Sequence, residues 1–208
     1  MSRTILIADD HPLFRQALAI AAARVAPDAT LVEAATLDRA VAVVRGMADD
    51  PALILLDLNM PGAVGYSGVA LLHAERPLVP ILVVSSADVM PARSQVAKFG
   101  AVGFVGKDQS LDAIEAAIAA ALAGERMDAD AASADGGDAE RIASLTPTQL
   151  RVLLGVLTGR LNKQIAFDLG ISEATVKTHM TAVLRKLDVG NRTQAALAAR
   201  ALGLETSG

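Results

Sequence analysis

Five side chains able to do chemistry stand at the ends of apolar runs. TILIADD (4–10) closes on Asp9 and Asp10, LILLD (53–57) on Asp57 and AVGFVGK (101–107) on Lys107, while Ser85 follows the run at 79–84. A strand that buries Leu53, Ile54, Leu55 and Leu56 and then ends in an acid delivers that acid to the C-terminal edge of a sheet. Open parallel sheets bind their ligands at that edge. Three carboxylates so close need a cation to be tolerable. Hard oxygen donors with few side chains suit Mg2+, which keeps waters and shares a phosphate ligand. One carboxylate could then attack a phosphoryl donor and form an acyl phosphate. Metal and ammonium would neutralise the transferring group, and the Ser85 hydroxyl could donate to a phosphoryl oxygen. A single acid would be equally at home as a turn cap; the joint pattern of acids, hydroxyl and lysine is what favours a site.

The elements that must position these groups are legible in outline. Short apolar runs at 4–8, 30–33, 52–57, 79–84 and 101–105 predict strands, and amphipathic stretches at 12–26, 36–48, 67–75, 89–99 and 110–123 predict helices between them. In the last, Leu111, Ile114, Ile118 and Leu122 recur at helical spacing and define one buried face. Strict alternation predicts a parallel sheet covered on both sides, with right-handed crossovers. The turn YSG (66–68) predicts Ser67 as the cap of a shortened third helix.

Bulk composition narrows the setting. The 208 residues allow one large domain or two small ones, and the absence of cysteine excludes disulfides and thiolate metal sites. No run approaches ~18 uninterrupted apolar residues, and the N-terminus lacks a signal-peptide core; a soluble, cytoplasmic protein without a membrane partner is expected. The net charge of −4 hides an asymmetry. Residues 1–140 carry 10 Lys+Arg against 19 Asp+Glu, and residues 141–208 carry 9 against 4. An acidic front and a basic tail point to different partners, with nucleic acid the candidate for the tail.

Between the halves, GERMDADAASADGGDAERIA (124–143) has only Met127 and Ile142 as large apolar residues and predicts a flexible acidic linker over 125–143. Its spaced aspartates fail as a calcium loop, with Ala132, Ser133 and Ala139 where a third ligand, a glycine and a glutamate belong. Beyond it the chain predicts helices only. Thr146, Pro147 and Gln149 form a capping-box start, a short helix covers 162–169, Ser172 caps a helix reaching Leu187, and a last helix spans 192–203. The pair around Gly170 is a helix-turn-helix, whose second helix can enter a major groove. Thr175, Lys177, Thr178, Thr181 and Arg185 fall on its outer face or edge. An ordinary bundle with a solvated basic face is the competing reading of that spacing.

The set ADDHP (8–12), LLDLNMPG (55–62), VVSSA (83–87) and GFVGK (103–107) resembles the receiver domain of bacterial two-component response regulators. The resemblance covers about residues 3–124 and implies a flavodoxin-like, five-stranded doubly wound α/β domain over 1–124. It implies that Asp57 accepts phosphate from a partner histidine kinase. Asp9, Asp10, Asp57 and the backbone carbonyl of Asn59 would bind Mg2+. Lys107 would contact the phosphoryl group, and Ser85 and Phe104 would be the switch pair. Pro61 and Gly65 match the turn after the acceptor, and Asn59 and Ala87 stand where the family tunes dephosphorylation. Gly106 replaces a proline or larger apolar residue and is expected to loosen the strand end. His11 is expected on the surface beside the pocket.

Residues 145–196, with LTP, NKQIA, LGIS, TVKTH, LRKL and NRTQA, resemble the LuxR-type DNA-binding domain of NarL/FixJ regulators, giving a second, smaller all-α domain over 144–208. Gln149 stands where glutamate is usual. The resemblance puts Lys177, Thr178 and Thr181 at base-reading positions and Asn162, Lys163, Thr175 and Arg185 near phosphates of double-stranded DNA. His179 follows the family pattern, for backbone contact or packing as much as base reading. It also implies a dimer contact on the last helix, through Thr193, Ala196, Leu197 and Arg200. The expected function is promoter binding by a homodimer, controlled by phosphorylation that frees the recognition helix. Two other readings stay open at this point: a regulator acting through protein contacts without phosphorylation, and an aspartate phosphohydrolase. No enzymatic turnover beyond self-phosphorylation and self-dephosphorylation is expected.

Overall fold

The computed structural model describes residues 3–86, 89–127 and 136–204. Strands β1 (Thr4–Ala8), β2 (Thr30–Ala34), β3 (Leu53–Leu56), β4 (Ile81–Ser85) and β5 (Gly103–Gly106) alternate with helices α1 (Pro12–Val25), α2 (Leu37–Gly46), α3 (Ser67–Glu75), α4 (Val89–Lys98) and α5 (Leu111–Leu122). All pairings are parallel, in the order β2-β1-β3-β4-β5. The chain thus starts mid-sheet, winds one way to β2 and returns the other way through β3. The reversal lies between β1 and β3, where the register sets Ala8 beside Leu56 and brings Asp9 and Asp57 out at one edge.

Parity along the strands divides the core in two. Ile5, Ile7, Leu53 and Leu55 point to α1 and α5, where Leu18, Ile114 and Ile118 complete one cluster. Leu6, Ala8, Ile54 and Leu56 face the other way and pack with Val41, Val69 and Leu72. That second cluster does not end with the sheet. It continues through Ile142, Leu145, Leu150 and Val176 to Leu204, so one apolar core serves both domains. Each aliphatic side chain so buried contributes about 1.5–3 kcal/mol.

The C-terminal helices are α6 (Gly136–Ala143), α7 (Pro147–Leu157), α8 (Asn162–Leu169), α9 (Glu173–Leu187) and α10 (Arg192–Ala201). Helix α7 starts on the expected capping box, Thr146 accepting from Gln149 N–H while Gln149 Oε1 accepts from Thr146 N–H. Gly170 ends α8 at φ 64°, a left-handed conformation that glycine adopts without penalty, and Ser172 caps α9.

Three expectations need correction. Residues 136–143 are helical rather than flexible linker, because Ala139 and Ile142 are buried and α6 packs against α3, α4 and α9. The Lys186 ammonium adds a 2.6 Å hydrogen bond to the Ser144 carbonyl just beyond its end. The linker stretch 128–135, with Ala132 and Ser133, lies outside the described residues. Ser67 is not a cap: it opens α3, and its hydroxyl accepts the Val64 N–H, pinning the loop before the helix. Gly106 does not loosen β5, for it pairs with Ser85 inside the sheet.

On α3, His73 packs against Gly100, where a Cβ would lie 2.5 Å from His73 Nδ1. That nitrogen has no hydrogen-bond partner among the described residues. Burial chiefly, and then the Arg126 charge, hold the imidazole below its usual pKa. Unfolding restores the ordinary value near 6.5, so the unfolded chain takes up the proton first and stability falls as pH drops below about 6.5 toward the folded value. The thermal midpoint of wild type is expected to fall more between pH 7 and 5 than that of His73→Gln. Equal slopes for the two proteins would contradict this.

Candidate functional site

The acidic pocket assembles from the ends of β1, β3, β4 and β5. Asp9 and Asp57 are buried despite their charge, at 0% and 2% exposed, while Asp10 is half-buried. Backbone bonds fix their placement: Asp9 N–H donates to Ala34 O and Asp57 N–H to Ala8 O. Asp9 Oδ1 accepts from His11 N–H at 2.8 Å, and Asp57 Oδ1 from Asn59 N–H at 3.2 Å.

Lys107 enters from the last strand end, held by its own N–H on Ser85 O. Its ammonium lies 2.7 Å from Asp9 Oδ2 and 2.8 Å from Asp57 Oδ2. The Phe14 ring sits 4.7 Å from the same nitrogen, adding a cation–π contact and a dry wall. Ser85 is fully buried, and its hydroxyl accepts from Asn59 Nδ2 at 3.3 Å. Phe104 is turned inward, 1% exposed.

Three carboxylates meet one ammonium here, an excess of negative charge that a divalent cation would offset. Asp9, Asp10, His11 and Asp57 each present a ligand atom within 4.8 Å of one another. His11 is mainly solvent-facing, as expected, with Nδ1 2.7 Å from Asp10 Oδ1. The oxygen donors fit a hard ion; the imidazole is better suited to holding Asp10 than to ligating Mg2+. The arrangement therefore offers an anionic nucleophile, a cation site and an ammonium aimed at one carboxylate oxygen. Asp9, Asp10, Asp57, Ser85 and Lys107 all converge as expected, and Phe104 is buried on β5, in register with Val83 of β4. Ala87 lies outside the described residues.

Sequence reading missed three contributors. Phe14 is one; the Asn59 side chain, which ties the acceptor loop to Ser85, is another. The third is Arg15, which donates to Asp9 O at 2.8 Å and to Glu33 at 3.0 Å. For Phe14 and Arg15 the only signal was helix position one turn beyond the acids, which does not specify a partner; Asn59 was singled out for its carbonyl, not for this side-chain bond.

At the other end of the chain, α8 and α9 form the helix-turn-helix. Lys177, Thr178, Thr181 and Arg185 are exposed on α9, Lys163 is exposed on α8, and Asn162 and His179 are half-buried. Thr178 and Thr181 donate to the carbonyls of Ala174 and Lys177, which leaves their oxygens free to accept. Thr175 is partly engaged with the cap, its hydroxyl 2.8 Å from that of Ser172. Lys177 pairs with Glu173 at 3.4 Å in solvent. On α10, Thr193, Leu197 and Arg200 are exposed, and Ala196 is half-buried.

The two domains are docked on one another. Arg151 on α7 meets Glu75 on α3 at 3.1 Å, and Tyr66 N–H donates to Gly203 O. Yet the α9 reading side chains are already exposed in this docked form. Docking uses α3 and α4 against α6 and α7, and the outer side chains of α9 stay exposed to solvent.

Comparison with known proteins agrees with this geometry. Residues 5–119 match the response regulator receiver domain, and residues 143–199 match the bacterial regulatory proteins of the luxR family. The chain is 41% identical to the glycerol metabolism activator of Pseudomonas putida, covering 94% of each chain. It is 33% identical to the nitrate/nitrite response regulator protein NarL of Escherichia coli K12, covering 93% of each. In fold it resembles full-length FixJ from B. japonicum, with a TM-score of 0.51 at 23% identity over 99% of this chain and all of that one.

Proposed function

The chain belongs to the NarL/FixJ family of DNA-binding two-component response regulators, and from that premise we propose that phosphorylation of Asp57 controls its pairing on DNA. The family is one of transcription regulators, not of enzymes with external substrates. A histidine kinase is the proposed donor, and Mg2+ the proposed cofactor, held by Asp9, Asp10, Asp57 and the Asn59 carbonyl. When bound, the ion supplies charge neutralisation for the incoming phosphoryl group.

The observation that carries this reading is Lys107 bridging Asp9 and the Asp57 oxygen that would attack. Asp57 is the nucleophile; its carboxylate forms the acyl phosphate as the donor's leaving group departs. The ammonium then follows the charge outward onto a phosphoryl oxygen. Ser85, released from Asn59, donates its hydroxyl to another. Phe104, already buried, would complete the switch pair with Ser85, and the adjoining α4 surface would change.

Because the α9 face is open, control acts through assembly rather than unmasking. Two half-sites about one helical turn apart would bind a two-fold pair joined through Thr193, Ala196, Leu197 and Arg200. Lys177, Thr178 and Thr181 would read bases, while Asn162, Lys163, Thr175 and Arg185 would hold phosphates. Beryllofluoride in Mg2+ should shift the full chain toward dimer in sedimentation velocity and raise its affinity for DNA selected by the protein itself. Affinity and mass that ignore beryllofluoride would instead support a phosphorylation-independent regulator.

A further inference from the structure

A cleft of about 1020 Å³ opens between the receiver and the helical domain, away from the acidic pocket. One wall is α2 with Gly62 and Val64, from the loop that follows Asp57; the other is α7 and α8, with Leu154 and Ile165. The volume is that of a small-molecule site, and such sites concentrate at domain junctions. Arg45, Arg151 and Arg160 also line it.

The charges are unevenly matched. Arg160 is paired with Asp168. Arg45 and Arg151 share a single acid, Glu75, at 2.7 and 3.1 Å, and that carboxylate is itself nearly buried, with 9% of its side chain exposed. Asp38, exposed on α2, is the remaining acid of the lining. Burial and then the Arg45 charge push the Arg151 guanidinium below its usual pKa, outweighing the pull of Glu75 and, weaker still, of Asp38. Two guanidiniums beside an apolar wall thus share one nearly buried carboxylate, and the other acid near them, Asp38, is solvent-exposed.

We propose that this cleft binds a small organic anion with an apolar body, its acid group on Arg45 and Arg151 and its body against Leu154 and Val41. A molecule seated there touches both domains and the loop behind Asp57. It gives the chain a second chemical input that needs no phosphate on Asp57.

The probe is 8-anilinonaphthalene-1-sulfonate, an apolar aryl anion, titrated by fluorescence into the full chain without phosphodonor. Two variants divide the site: Arg45→Gln removes charge, and Ala42→Trp fills the cleft from an exposed position on α2. Each should weaken binding roughly tenfold or more, the scale of one charge-assisted hydrogen bond. Neutral N-phenyl-1-naphthylamine should bind wild type less tightly than the sulfonate. Wild-type affinity in Ala42→Trp, with circular dichroism unchanged, would place the dye elsewhere and overturn the proposal. Loss in Ala42→Trp with no change in Arg45→Gln would overturn the anion. None of these outcomes depends on whether Asp57 is phosphorylated.

Discussion

Asp57→Asn should reduce covalent labelling by acetyl phosphate in Mg2+ to background. The amide has no anionic oxygen to attack phosphorus, and no neighbouring acid substitutes for it. Asp9 is fully buried at the end of β1 with Oδ1 occupied by His11 N–H, and Asp10 points toward His11. The substitution is nearly isosteric, and its carbonyl can still accept the Asn59 N–H that Asp57 Oδ1 accepts now. Lys107 keeps Asp9 as partner at 2.7 Å, so the fold should survive and the thermal midpoint should move little. Phosphate incorporation followed by intact-mass measurement decides it. Labelling of the variant at wild-type stoichiometry would remove Asp57 from its role.

The second large effect belongs to α9. Lys177→Ala should weaken specific DNA binding by about 1–3 kcal/mol, roughly five- to 150-fold, while leaving phosphate incorporation unchanged. Lys177 stands on the exposed face with only Glu173 for company, an exposed pair of little worth that DNA can replace. Its removal exposes no core, since Val176 and Met180 carry the buried side of the helix. If the lysine reads a base, affinity for the selected site falls while binding to unrelated DNA changes much less. If it only meets phosphate, both fall together and the salt slope shrinks by about one unit. Titrations on both DNAs at two salt concentrations separate these results, and no loss on either would take Lys177 out of the interface.

How far the sequence could be read depended on how local the controlling physics was. The central strands β1, β3 and β4 were legible because they are buried on both faces and so are almost wholly apolar. LILL ends in Asp57 and ILIA in Asp9 with no room for ambiguity about which edge the acids reach. The helix starts at Thr146 and Ser172 were equally legible, because a cap and its partner lie three residues apart. Helix α6 was not. Judged alone, its one isoleucine cannot repay the ordering of a segment. Ile142 is nonetheless buried, by partners on α3, α4 and α9 drawn from both sides of it in sequence. Glu75 was invisible for the same reason, since its partners Arg45 and Arg151 lie on α2 and α7. In the acidic pocket, residue types announced the acids and the lysine; the bond from Asn59 to Ser85 depends on a loop path that residue types do not encode.

The two faces of the sheet have unequal neighbours, and that bears on how freely such a chain can be recombined. Among the described residues Ile5, Ile7, Leu53 and Leu55 cluster with α1 and α5 and with no residue of the helical domain, so this half of the receiver can drift or be exchanged without the helical domain noticing. Leu6, Ile54 and Leu56 belong to the core that runs on to Leu150 and Leu204. A foreign helical domain grafted after α5 would inherit a surface shaped for another occupant. Modularity here is a property of one sheet face, and the opposite face must co-evolve with the DNA-binding domain.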